Sequence, residues 1–347
     1  LDNVWLILER ICDYMRILHS LLSELPVAES EFEQQVFDFC QSWRSGQKAF
    51  LFHSSGSTGD PKPIYLSREQ MYASAKMTGE WLQLRSGDVA LLSLPPTYIA
   101  GAMVLVRALV HDLSLILVEP CQNPLAQLPV TPIHLASFVP TQWATMVAAG
   151  LDLKGYFNQA KGILLGGASV PDSLRKDWGF PVFETYGMTE TVSHIAYRTW
   201  DQDEFQILSG VQIAVSDTSC LLISSPTTEN KWLETRDVVE LCSPGKFKLV
   251  GRLDRVINTG GIKVQPEKIE QAYRTIATLP LFVAGIPDEF WGMKVVLFVE
   301  SEEMPDFPSL THLLASYEVP KEIVCLPSFI KTSSAKIDTA KTVALYL

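Results

Sequence analysis

Apolar residues recur at Val4, Ile7, Ile11, Met15, Leu18 and Leu22, and their three- and four-residue spacing predicts an amphipathic helix at the front of the chain. Ser30 and Glu33 form a capping-box pattern that predicts a second helix, buried through Phe32, Val36, Phe39 and Trp43. From residue 49 the pattern changes. Ala49 to His53, Val89 to Leu94, Leu113 to Glu119, His134 to Phe138 and Gly162 to Leu165 are short apolar runs. Helix-like segments separate most of them, which predicts a mainly parallel α/β sheet. Between about 204 and 250 the helical pattern vanishes. Val211 to Val215, Cys220 to Ile223, Val238 to Leu241 and Phe247 to Val250 predict a small β subdomain there. After Gly251 comes a Gly260-Gly261 turn, a helix from Pro266, strands at Leu281 to Gly285 and Lys294 to Glu300, and later helices. The expected boundary lies at Arg252 to Asp254. It divides a large α/β domain (1–251, with the β subdomain at about 204–251) from a small, mobile α+β domain (252–347).

Composition narrows the class. With 347 residues, 47% hydrophobic and 19% charged, the chain can bury two cores. A net charge of -11 argues against nucleic acid as a partner, since a phosphate backbone needs clustered Lys and Arg. The six cysteines, Cys12, Cys40, Cys121, Cys220, Cys242 and Cys325, are scattered without a C-x-x-C pair, as expected for free thiols in a reducing cytosol. Asp2, Glu9 and Arg10 interrupt the first apolar stretch and Arg107 interrupts the run around Met103. Neither fits a signal peptide or a spanning helix, so a cytoplasmic protein without a membrane partner is expected.

The densest chemistry lies in Ser54-Ser-Gly-Ser-Thr-Gly-Asp-Pro-Lys62, directly after an apolar strand. Glycines let backbone N–H groups approach phosphate oxygens, hydroxyls donate further bonds, and the lysine adds a mobile positive charge. The spacing is not that of a Walker A loop. It resembles instead the phosphate-binding motif of the acyl-adenylating superfamily, which includes acyl-CoA synthetases, luciferases and nonribosomal adenylation domains. Further matching segments follow in the superfamily's order: Gly166-Gly-Ala-Ser169, Tyr186-Gly-Met-Thr-Glu190, Thr235-Arg-Asp237, Gly251-Arg-Leu-Asp254, Gly260-Gly-Ile-Lys263 and Ser333-Ser-Ala-Lys336. Gly285-Ile-Pro-Asp288 and Trp291-Gly292 add to them, so the resemblance spans residues 50 to 340.

The resemblance implies ATP, Mg²⁺ and coenzyme A as co-substrates. Ser54, Ser55, Gly56, Ser57, Thr58, Gly59 and Lys62 would hold phosphate, and Thr189 would offer its hydroxyl to the α-phosphate. Glu190 is the metal residue, a carboxylate suited to a hard cation. Gly166, Gly167 and Ala168 would pass close to the adenine, with Tyr186 stacking and Gly187 beside it. Asp237 can accept from both ribose hydroxyls and Arg252 can donate to ribose or phosphate. Lys336 would neutralise charge developing during adenylation. Asp254 matches a hinge about which the C-terminal domain rotates, bringing the Gly260-Gly261 turn and Lys263 to the pantetheine channel.

For the acid, Ser137-Phe-Val-Pro-Thr-Gln142 and the segment from Leu94 to Arg107 resemble the o-succinylbenzoate-CoA ligases within that superfamily, enzymes of menaquinone biosynthesis. Arg107 either snorkels or meets a buried anion, and a substrate carboxylate, with Ser137 beside it, is the expected partner. Ala335, Thr339 and Pro96-Thr97-Tyr98 depart from the superfamily's pattern. The phosphate loop begins at Ser54, where relatives carry a long preceding subdomain, so a compact enzyme capped by two helices is expected. The apolar stripes of those helices would pack on the sheet, with a homodimer contact as a second use. Another aryl- or acyl-CoA ligase, a carrier-protein-loading enzyme, or a non-catalytic acyl-nucleotide binder are the alternatives.

Overall fold

The computed structural model describes residues 9–11, 14–18, 27–53, 62–277, 279–308, 310–331 and 337–347. Ser54 to Gly59 and Lys336 lie outside the described residues. The chain forms two compact units: residues 1–54, 62–212 and 223–233 in the first, and 55–61, 213–222 and 234–347 in the second.

The first unit begins with β1 (Glu9–Ile11) and β2 (Tyr14–Leu18), then α1 (Glu31–Arg44), β3 (Ala49–His53), β4 (Pro63–Ser67) and α2 (Arg68–Leu82). Next come β5 (Val89–Leu92), α3 (Ile99–His111), β6 (Ser114–Leu117), β7 (Leu135–Phe138), α4 (Pro140–Ala148) and α5 (Leu153–Phe157). The series ends in β8 (Gly162–Leu165), β9 (Val182–Gly187), β10 (His194–Arg198) and β11 (Phe205–Ile207). Its main sheet runs in the order β1-β2-β6-β5-β7-β8-β9-β10-β11. The five strands from β6 to β9 are parallel, and both flanks are antiparallel. Alternation sorts the side chains of these parallel strands into two cores. Ala90, Leu92, Leu115, Leu117, Leu135 and Leu164 pack with Val36, Phe37 and Leu105 on one face. Leu91, Ile116, Ala136, Phe138, Ile163 and Leu165 pack with Trp143 and Phe157 on the other.

The helix expected over Val4 to Leu22 is corrected. Glu9–Ile11 and Tyr14–Leu18 are antiparallel strands, and β2 pairs with β6 through Met15↔Leu117 and Ile17↔Leu115. The edge of β6 presents unpaired backbone groups, and pairing with it outweighs a helical spacing that a five-residue strand with Tyr14 and Ile17 fits equally well. The second expected helix is α1. Ser30 caps it by accepting from the Glu33 amide at 3.1 Å, while the Glu33 carboxylate accepts from the Glu29 amide at 2.8 Å. Phe32, Val36 and Trp43 are buried and Phe39 stacks on Trp43.

The second unit carries β12 (Gln212–Val215), β13 (Cys220–Ser224), β14 (Leu233–Ser243) and β15 (Lys246–Arg252), ordered β15-β14-β13-β12. Then follow β16 (Ile257–Thr259), β17 (Ile262–Val264), α6 (Pro266–Arg274), β18 (Leu281–Asp288), β19 (Gly292–Glu300), β20 (Glu322–Leu326) and α7 (Thr339–Ala344). Val295, Leu297 and Val299 of β19 face Ile269 and Tyr273 of α6 in one core. Val296 and Phe298 face Phe282, Phe329 and Val343 in another. This sheet is covered on both faces and, apart from the β19–β20 pair, antiparallel, as an α+β arrangement requires, while the first unit has the mixed α/β sheet. Among the described residues no helix is long and apolar enough to cross a membrane. Cys40, Cys121, Cys220, Cys242 and Cys325 are free thiols.

Candidate functional site

In the first unit β5 neighbours both β6 and β7, so the strand order reverses beside it. Ligands of open α/β sheets bind outside the carboxyl ends of the strands at such a point. Four sequence-singled segments stop at this edge. Ser93 follows β5, Ser137 is the penultimate residue of β7, Gly166-Gly167 follow β8, and Gly187 ends β9. Gln142, 4% exposed, ties the edge together. Its amide donates to the carbonyls of Ser93 (3.3 Å) and Cys121 (2.9 Å) and its oxygen accepts from the Val139 amide at 3.2 Å. That clamp is a physical reason for the Pro-Thr-Gln end of the segment from Ser137.

Glycine is required at two of these positions. A Cβ on Gly166 would stand 2.7 Å from the Thr185 hydroxyl, which donates to the Leu165 carbonyl at 3.0 Å. A Cβ on Gly187 would stand 2.2 Å from the Ser193 carbonyl, because the chain doubles back there into β10. Tyr186 is buried against Phe205, ring centroids 5.8 Å apart. Gly167, at φ +82°, and Ala168 are exposed, as is Lys62 ahead of β4.

Thr189 and Glu190 sit in a 3₁₀ turn held by Thr191, whose buried hydroxyl accepts from the Met188 amide at 3.0 Å and donates to the Ser193 carbonyl at 2.8 Å. The next residue, Val192, has φ 66° and ψ -51°, and the Ser193 amide donates back to the Thr191 carbonyl at 2.7 Å. A γ-turn of this sign is strained, more so for a β-branched side chain, and costs about 1–3 kcal/mol. The fully buried Val192 side chain, packed with Met71 and Met103, offsets that strain and fixes where the turn lies. The Glu190 carboxylate is exposed and makes no hydrogen bond or ion pair among the described residues, which suits a cation arriving with a nucleotide.

Three residues beyond Glu190, Ser193 accepts a 2.6 Å hydrogen bond from Nη2 of Arg107. Arg107, in the third turn of α3, is 2% exposed and faces no carboxylate among the described residues; its Nε has no partner. Burial pulls its pKa down to about 10, so it remains a cation at neutral pH. Ser193 Oγ also lies 3.3 Å from Nδ1 of His194, and His194 Nε2 lies 3.1 Å from the Thr78 hydroxyl. Burial first, and the Arg107 charge second, hold His194 well below the usual 6.5. Ser193, His194 and Thr78 escape a reading of the sequence because no local pattern marks them. Ser137 makes no hydrogen bond to Arg107.

In the second unit Asp237 and Arg252 are directly opposite across the β14–β15 ladder. Arg252 Nη1 donates to Asp237 at 3.0 Å, and its Nε and Nη2 grip Asp254 at 2.9 Å each. Hydrogen bonds from Arg252 hold the Asp254 carboxyl below the usual carboxylate range. Gly260 and Gly261, at φ +57° and +81°, form the two-residue turn between β16 and β17 that positive φ at both positions allows. The Gly260 amide donates to the Trp291 carbonyl at 2.8 Å, and Lys263 is exposed on β17.

Residues 15–230 match the family model of the AMP-binding enzymes. A 2-succinylbenzoate–CoA ligase of Enterococcus faecalis is 28% identical, over 92% of this chain and 74% of that protein. The crystal structure of an acyl-CoA synthetase (AMP-forming)/AMP-acid ligase II-like protein from Dyadobacter fermentans is 33% identical with a TM-score of 0.66, covering 96% of this chain and 100% of that one. The o-succinylbenzoate coenzyme A synthetase of Bacillus subtilis, solved with ATP and magnesium ion, shares the fold at a TM-score of 0.72 and 21% identity, over 84% of this chain and 69% of that one. With more than half its length inside the family model, the chain belongs to the AMP-binding enzymes.

Proposed function

We propose that this chain is an ATP-dependent acid-CoA ligase that makes an acyl-adenylate and then an acyl-CoA thioester, and that its acid is o-succinylbenzoate, as in menaquinone biosynthesis. The observation that carries the reading of the acid is Arg107, a buried cation whose Nε has no partner and which no carboxylate of the described residues neutralises. Burying a guanidinium without a counter-ion is unfavourable unless a ligand supplies one. An acid with two carboxylates can place one on Arg107 and keep the other for reaction, with Ser137 as a second donor.

In the first half-reaction a carboxylate oxygen of the acid bonds to the α-phosphorus of ATP and the bond to pyrophosphate breaks. Ser54 to Gly59 and Lys62 would hold the phosphates, Thr189 would donate to the α-phosphate, and Glu190 would hold a Mg²⁺ ion, whose charge would offset that of the departing pyrophosphate. Gly166, Gly167, Ala168, Tyr186 and Gly187 receive the adenine, Asp237 and Arg252 the ribose, and Lys336 stabilises the charge that develops. In the second half-reaction the thiol sulfur of coenzyme A bonds to the acyl carbon, AMP leaves with the bonding pair, and the thiol proton passes to solvent. Residues 252–347 act as the mobile lid, turning at Asp254 to bring Gly260, Gly261 and Lys263 to the thiol's channel. Free thiols support a cytoplasmic enzyme. A homodimer completes the reading, to be checked by sedimentation.

The experiment is acid-dependent pyrophosphate release with o-succinylbenzoate, benzoates and fatty acids, followed by transfer to coenzyme A. Release with o-succinylbenzoate alone is expected. Equal release with a fatty acid overturns the substrate, and no release with any acid overturns the activity.

A further inference from the structure

The polar chain beneath the strained turn has only one arrangement of protons that uses every donor. Thr78 lies in α2 and its hydroxyl donates to the Ser74 carbonyl one turn back, at 3.1 Å. Its oxygen therefore accepts from His194, which puts the ring proton on Nε2. Nδ1 is then a lone pair and accepts the hydroxyl proton of Ser193. With that proton committed, Ser193 turns its own lone pair to Arg107 Nη2. The opposite tautomer would place two donors, Arg107 Nη2 and His194 Nδ1, against Ser193 Oγ and leave the hydroxyl proton without an acceptor. The ring itself is fixed by Trp81, edge-on at 5.7 Å between centroids.

We infer that His194 is a positioning residue for acid recognition: through Ser193 it holds the Arg107 guanidinium by one corner, in the orientation that leaves Nε for the substrate carboxylate. The inference rests on the reading of Arg107 given above. A hydroxyl alone at residue 193 could turn its proton toward Arg107 and repel it. His194 removes that alternative by accepting the proton. It does so without adding charge, so Arg107 stays the one positive group of this hydrogen-bonded relay, and a neutral relay leaves its attraction for an anion undiminished. A guanidinium with its torsions fixed beforehand loses less freedom on meeting a planar carboxylate.

The test measures steady-state pyrophosphate release by the full chain with two acids, o-succinylbenzoate and benzoylpropionate, the latter lacking the ring carboxylate. Loss of a charge-assisted hydrogen bond and of orientation corresponds to a change of about tenfold or more. His194→Leu is expected to raise KM for o-succinylbenzoate about tenfold, with KM for ATP and for benzoylpropionate changing less than about twofold. His194→Gln keeps an acceptor toward Ser193 and a donor toward Thr78, and should restore KM to within about threefold of the parent. Thr78→Val, nearly isosteric, cuts the relay at its far end and should raise the same KM severalfold, which covers the case of an unfolded leucine variant. If KM for both acids and ATP rises together, or Gln restores nothing, His194 is only structural and the inference falls. If Arg107→Leu leaves KM for o-succinylbenzoate unchanged, the underlying reading falls with it. If Arg107→Leu raises that KM and no His194 or Thr78 variant does, this inference alone is overturned.

Discussion

Asp237 and Arg252 are cross-strand partners joined at 3.0 Å, and the same guanidinium grips Asp254 two residues along the chain. Arg252 is 39% exposed at its side chain, so solvent screens the pair and its worth to stability is at most about 1 kcal/mol. Its value lies in aim: Asp237, nearly buried, is held in a fixed orientation by the Arg252 guanidinium. Asp237→Asn should therefore raise KM for ATP about tenfold or more while Tm, followed by calorimetry, moves by only about 2–4 °C. A large fall in Tm with unchanged KM would assign the pair to the fold.

Arg107→Leu tests the opposite balance. Replacing even a paired buried charge by hydrophobic side chains is often neutral or stabilising by about 1–4 kcal/mol, and a buried cation without a counter-ion has less to lose. The variant is expected to be at least as resistant to urea as the parent, with a much higher KM for o-succinylbenzoate and little change for ATP. Loss of stability with both KM values intact would make Arg107 a structural residue.

Lys336→Ala separates the half-reactions. A positioned charge acting on a developing anion is worth about 10²–10³ in rate. Adenylate formation should fall by that much, whereas thioester formation from supplied acyl-adenylate should persist. Equal loss in both would remove the two-conformation scheme.

Apolar runs of four residues were legible as strands because β5, β6, β7 and β8 are buried on both faces and read as continuous hydrophobic segments. The front of the chain was misread because Ile11, Met15 and Leu18 satisfy a helical spacing and a strand equally, and only the distant edge of β6 decides between them. The glycine turns and Arg107 stood out locally: a Gly-Gly pair after a strand and a charge inside an apolar helix are visible anomalies. The relay was not legible. Arg107 and Ser193 are 86 residues apart and Thr78 and His194 are 116 apart, and no local pattern encodes a contact that the fold alone creates.

The thiols should divide by accessibility. Burial pushes Cys40 up to about 12, and Cys220 is also buried, while Cys121 and Cys242 are exposed. A thiol reagent at pH 8 should label Cys121 and Cys242 first, and Cys40 only after denaturation, as read by peptide mass spectrometry. Early labelling of Cys40 would mean that α1 opens in the native state.

Acid should weaken the fold through His194 before it weakens it through the carboxylates. His194 packs against Trp81 and bonds Thr78 from α2, meets Ser193 beside it, and faces the Arg107 cation from α3. These surroundings hold its folded pKa well below 6.5, the value it regains on unfolding. Between the two values the unfolded chain binds a proton that the native chain does not, so stability rises with pH in that window and is complete above about 6.5. As pH falls below 6.5, stability should drop by up to about 1.4 kcal/mol per pH unit from this one group. Carboxylates with lowered folded values, such as Asp254 and Asp338, contribute only further down, near and below about 4. Urea midpoints at pH 7.5, 6.5 and 5.5 for the parent and for His194→Gln, roughly one proton's titration apart, separate the sources. The parent should lose stability between the last two points and the glutamine variant should lose less. Identical slopes would place the acid sensitivity elsewhere and show that His194 takes up its proton as easily folded as unfolded.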